Sequence, residues 1–125
     1  MTIRVATLSL LLVLAAMTPA AAGDDFQPFW TKFTAALKAD DQAAVKALVR
    51  FPTLYQGEEV GADRFAEVYK GLFTAKNRAC LAKAKPLLQE NGDGQTSYFA
   101  FCSKMVWVFD RIAGDWRYAE IGPDD

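Results

Sequence analysis

Cys80 and Cys102 are the only cysteines, they stand 22 residues apart, and the chain contains no histidine. Without imidazole, every Ser–His or Cys–His dyad or triad and every His-based metal site is excluded. Two distant thiols are too few to hold a metal, and the C-x-x-C spacing of redox pairs is absent. A structural disulfide is what remains for the sulfurs, provided the compartment is oxidising. Phosphate chemistry has no support either. Asn91-Gly92-Asp93-Gly94 follows a strand pattern but opens no helix, as a phosphate-cradling loop must. The paired acids Glu58-Glu59 and Asp124-Asp125 lack metal-loop spacing and read as solvated charges. The residues imply no cofactor and no metal.

The first residues supply the compartment. Met1 to Ala22 has the parts of a secretory signal peptide: Arg4, an apolar stretch from Ala6 to Ala16, then Pro19 and the small residues Ala20 and Ala22, with cleavage expected after Ala22. The apolar run is about half the ~20 residues that a spanning helix needs, so no membrane span is expected after cleavage. A periplasmic or secreted address follows, and Gly23 to Asp125 is expected to be a single domain. The formal net charge is −1 and the leader removes an arginine but no acid, leaving no basic stripe for nucleic acid. For a domain this small, one Cys80–Cys102 bridge would add roughly 3 kcal/mol by closing its loop.

The remaining sequence divides into helical stripes followed by strands. Phe26, Phe29, Trp30, Phe33 and Leu37 mark one face of a helix from about Asp25 to Ala39, with Pro28 tolerated in its first turn. A short helix, Gln42 to Arg50, is expected to end at Phe51-Pro52, followed by a strand near Thr53 to Gln56 and a turn over Gly57 to Gly61. Asp63 is expected to cap a third helix carrying Phe65, Val68, Tyr69, Leu72 and Phe73, in which Gly71 allows close approach to the sheet. Pro86 argues for a strand over Ala79 to Gln89. A long strand from Thr96 to Arg111 and a last one from Trp116 to Ile121 are joined at Ala113-Gly114. A two-residue loop there sets Phe109 opposite Tyr118; a three-residue loop sets it opposite Arg117. The sequence is compatible with both registers.

The fold class expected from this pattern is α+β, with three N-terminal helices packed on a curved antiparallel sheet. That order resembles the cone-shaped fold shared by ketosteroid isomerase, scytalone dehydratase and nuclear transport factor two, a cystatin-like arrangement. The stretches RFP, YKGLF and WRYAEIG further resemble small uncharacterised exported bacterial proteins. The isomerases of that fold use a carboxylate base and a tyrosine donor inside the cone. By residue type, the resemblance nominates Asp110, Glu120, Tyr69, Tyr98 and Tyr118. Glu120 alternates with Ala119 and Ile121 as an outward residue would, and Asp110 has Arg111 and Arg117 at hand, so neither acid is required to be buried. The reading preferred here is a non-catalytic binding or interaction domain, the alternative a small isomerase or hydro-lyase. Trp107, Phe109, Trp116 and Tyr118 are its candidate binding surface, on the expectation that they occupy both faces of the final hairpin. The partner expected is a small apolar ligand, a periplasmic protein, or a second copy through the sheet face.

Overall fold

The computed structural model describes residues 25–90 and 92–123; the signal peptide expected over Met1 to Ala22 and the terminal Asp124-Asp125 lie outside them. Helix α1 spans Phe26–Lys38. Its aromatic stripe at i, i+3, i+4 and i+7 leaves Phe26, Phe29, Trp30, Phe33 and Leu37 all buried. At about 2 kcal/mol for each large side chain removed from water, that stripe rather than helix propensity holds α1 in place. Asp25 precedes the helix without capping it; its carboxylate accepts from the Trp116 indole N–H at 3.0 Å and from Arg111, which lies over the same indole.

Helix α2 is shorter than its pattern suggests. It spans Gln42–Lys46, with the Asp41 carboxylate accepting from the Ala44 N–H at its start. The chain is already extended by Val49, and β1 runs Val49–Tyr55 straight through Pro52. Pro52 therefore sits inside a strand and does not merely terminate a helix. A two-residue turn at Gln56-Gly57 leads to β2, Glu58–Val60, where a simple turn was expected. Asp63 lies in a 3-10 turn, Ala62–Arg64, and makes no capping bond to α3, Phe65–Leu72. The expected face of α3 is buried in full, Phe73 included. Gly71 does allow close approach: a Cβ there would stand 1.9 Å from the Tyr55 hydroxyl of β1.

The largest correction concerns residues 75–83, which form a fourth helix, α4, Ala75–Lys83, where a strand was expected from Ala79 onward. Thr74 caps it through its side-chain oxygen, and Pro86 lies beyond the last turn, where proline is ordinary. Only Asn77 and Leu81 of α4 are buried, so it has no apolar stripe to announce it. The Cys80–Cys102 disulfide ties it to the sheet, with the two Cα atoms 5.9 Å apart. The Asn77 side chain adds two bonds, donating to the Leu72 carbonyl and accepting from the Ser103 hydroxyl.

The rest of the chain is a meander: β3 Leu87–Glu90, β4 Thr96–Cys102, β5 Met105–Ile112 and β6 Asp115–Pro123. The single long strand expected over Thr96 to Arg111 is two strands, folded back at Ser103-Lys104 with both residues at positive φ. The final hairpin takes the two-residue loop, with Ala113 and Gly114 at positive φ and Phe109 opposite Tyr118. Sheet order is β2-β1-β6-β5-β4-β3. The sheet is mixed, not antiparallel throughout, because β1 and β6, second and third in that order, run parallel. Among the described residues, four α-helices and this six-stranded mixed sheet make the fold α+β. Residues of α1, α2, α3 and α4 and one face of the sheet share one core.

Candidate functional site

The two faces of the sheet have opposite characters. Residue pairs Tyr98–Phe109, Ala100–Trp107 and Phe109–Tyr118 stand opposite one another on the helix side. Trp107, Phe109, Trp116 and Tyr118 therefore share one face, not two, and none is more than 3% exposed. The two-residue loop makes this so, because it keeps 107, 109, 116 and 118 in phase. Phe33 and Phe73 pack edge-on against Phe109 and Tyr118, and Phe26 stacks on Tyr98 at 3.6 Å. These four residues thus form no solvent-facing aromatic surface; they fill the space under the helices.

Within that core the Tyr118 hydroxyl has no hydrogen-bond partner of good geometry among the described residues. The neighbouring Thr53 hydroxyl gives its proton to the Ala119 carbonyl at 2.9 Å. Burial pushes the Tyr118 phenol well above its ordinary pKa; the nearby Thr53 hydroxyl works against this and the Glu120 charge adds to it.

The structure brings neither candidate acid to a candidate tyrosine inside the core. Asp110 stands opposite Ser97 and Arg117 on the outer face, accepting from the Ser97 hydroxyl and lying 3.6 Å from Arg50. Glu120 reaches the same face through a bulge. Phe109 pairs with Tyr118 but Val108 with Glu120, so Ala119 has no opposite residue. Without that bulge, Glu120 would face Trp107 in the core. The Thr53–Ala119 bond pins the bulge to β1.

A carboxylate and a tyrosine do meet elsewhere, through Asp40, an acid that sequence reasoning missed. The Tyr69 hydroxyl donates to Asp40 at 2.6 Å, and Arg78 lies 3.4 Å from the same carboxylate oxygen. Burial, then the hydrogen bond to Asp40 and its charge, push the Tyr69 phenol up to about 12. Arg78 also donates to the Phe73 carbonyl. The cluster fastens the end of α1 to α3 and α4. No sequence signal pointed to it, because Asp40 is held at positive φ just past α1, far in sequence from Tyr69.

The outer face of the sheet is a second candidate site, whose individual residues were not singled out from the sequence. Leu87, Phe99 and Val108 align across β3, β4 and β5, and Phe101 pairs with Val106 one row away. Leu87 is 53% exposed, Phe101 45% and, beyond β6, Leu54 37%. Gly122 opposite Val106 adds no side chain, which keeps this part of the face flat. The signal was present in the apolar residues that alternate with the buried ones from Ser97 to Val108. Beside the strip, an open polar cleft of about 500 Å3 is lined by Arg50, Thr96, Asp110 and Arg111. Among the described residues no group of three or more His, Cys, Asp or Glu side chains is arranged to hold a metal ion, and no helix is long and apolar enough to cross a membrane.

No family model, curated protein or solved structure matches the chain.

Proposed function

We propose that the protein is an exported, non-catalytic interaction domain that works through the outer face of its sheet. One observation carries this reading. Apart from Leu88 at the β3 edge, which is as exposed as Leu87, the helix side of the sheet is packed shut with aromatic side chains, while the opposite side leaves Leu87, Phe101 and Leu54 in solvent beside Phe99, Val106 and Val108. Contiguous exposed apolar surface of this kind is characteristic of binding sites. Leader-like residues ahead of the described region and one disulfide support a periplasmic or secreted setting. The order helix, helix, hairpin, helices, meander supports the cone-fold reading, with the interior of the cone filled instead of hollow. An isomerase or hydro-lyase would need an acid and a tyrosine facing one cavity, and no observation favours it: Asp110 and Glu120 lie across the sheet from Tyr98 and Tyr118.

Photo-crosslinking in the exporting cell tests the proposal. A benzophenone side chain in place of Phe101 is expected to give a protein adduct, and the same group in place of exposed Lys76 on α4 none. No adduct at position 101, or equal adducts at both, would overturn it.

A further inference from the structure

Resting on that reading of the outer face, we propose that its occupant is a second copy of this chain, packed face to face about a two-fold axis that runs along the strands between β4 and β5. Three features point to this arrangement. The strip is centred there: Leu87, Phe99 and Phe101 lie on one side of the axis and Val106 and Val108 on the other. Rotation about it sets Phe99 of one copy against Val108 of the next, and Phe101 against Val106, so the apolar side chains cover one another.

The second feature is charge. Glu120 lies in the Leu87–Phe99–Val108 row, on β6, and has no ion-pair partner among the described residues. Lys85 is exposed and stands two residues before Leu87, between the extended Ala84 and the start of β3. It too has no ion-pair partner among the described residues. The rotation moves β6 of one copy onto β3 of the other, so each Glu120 comes beside the other copy's Leu87 and Lys85. A two-fold axis across the strands would instead bring Glu120 against Gly122, against another Glu120, or against Arg117, whose guanidinium already lies 3.7 Å from Asp115. The charges thus select one of the two ways of stacking the faces.

The third feature is that the remaining charges of the face are already matched within each copy, Arg50 with Asp110 and Arg117 with Asp115, so docking leaves no like charges opposed.

Sedimentation equilibrium of the oxidised protein tests this. The parent is expected to approach twice the chain mass as concentration rises. Phe101→Glu should weaken association about tenfold or more, with near-ultraviolet dichroism unchanged and the thermal midpoint unchanged at dilutions where the parent is monomeric, since Phe101 lies outside the core. Glu120→Lys and Lys85→Glu should each weaken it several-fold, and the two together should restore it. A parent that stays monomeric overturns the second copy as occupant. If position 101 then still crosslinks to another protein, the outer-face reading survives; with no adduct, both fail. A double charge reversal no tighter than the single ones overturns the proposed axis.

Discussion

Removal of the Cys80–Cys102 bond should cost this fold much of its margin. The bond closes a loop of 22 residues, running from α4 through β3 to the end of β4. Chain-entropy arithmetic for that length gives about 3 kcal/mol of stabilisation, against a total of roughly 5–15 kcal/mol for a domain of this size. With an unfolding entropy near 0.2 kcal/mol/K for about 100 residues, the midpoint should fall by about 15 °C. The loss should begin in α4, because only Leu81 and Asn77 bury it and its other ties are the Ser103–Asn77 bond and the Arg78 contacts. The assay is scanning calorimetry of the oxidised parent, the reduced parent and a Cys80→Ala/Cys102→Ala variant, with hydrogen exchange followed across α4. Reduced parent and variant should agree within about 1 kcal/mol, the difference being the packing of Cys102. A midpoint within about 4 °C of the oxidised parent would refute the reasoning, as would exchange in α4 no faster than in β5.

Gly71→Ala should destabilise the parent because the added methyl meets the Tyr55 hydroxyl; in a Tyr55→Ala background it should instead stabilise by up to ~1 kcal/mol through helix propensity, and equal effects in both backgrounds would exclude the clash. Tyr118→Phe removes a buried hydroxyl that has no partner among the described residues, so chemical denaturation should show stability unchanged or raised by up to ~1 kcal/mol; a clear loss would mean that the hydroxyl is bonded. The Tyr69 phenol is raised to about 12 in the folded state, so its contribution is complete below the unfolded value near 10 and is lost as pH rises through 12. Ultraviolet titration should show a phenolate component near pH 12 that Tyr69→Phe abolishes; loss of a component near 10 instead would contradict the Asp40 contact.

Large side chains at regular spacing made part of this structure legible. The stripes of α1 and α3 could be read because Phe29, Trp30, Phe33, Phe65 and Phe73 are bulky and fall at helical intervals. Helix α4 could not, since a disulfide, a threonine cap and one leucine substitute for a stripe, and Leu81-Ala82-Lys83-Ala84-Lys85 mimics strand alternation. The hairpin at Ser103-Lys104 was hidden for a related reason. Neither residue is a Gly, Asn or Asp, yet both adopt the left-handed backbone that such turns require. Register at Ala113-Gly114 was open in the sequence and determines the site, because it gathers four aromatic residues on one face. The outward position of Glu120 matches the alternation around it, but its cause, the bulge at Ala119, is a long-range effect of the Thr53 hydroxyl.

Strands β1 and β6 lie side by side within the sheet although they come from the start and the end of the strand-forming chain. Everything on the β2 side is joined to the meander through β6 alone. Loss of the last eleven residues, Asp115 onward, would therefore split the sheet into a two-stranded ribbon and a three-stranded one. During synthesis or export the early hairpin has nothing to pair with until the final strand arrives, so assembly must wait for the C-terminus. A chain built this way stays open until its last strand is free, which is what the proposed export requires.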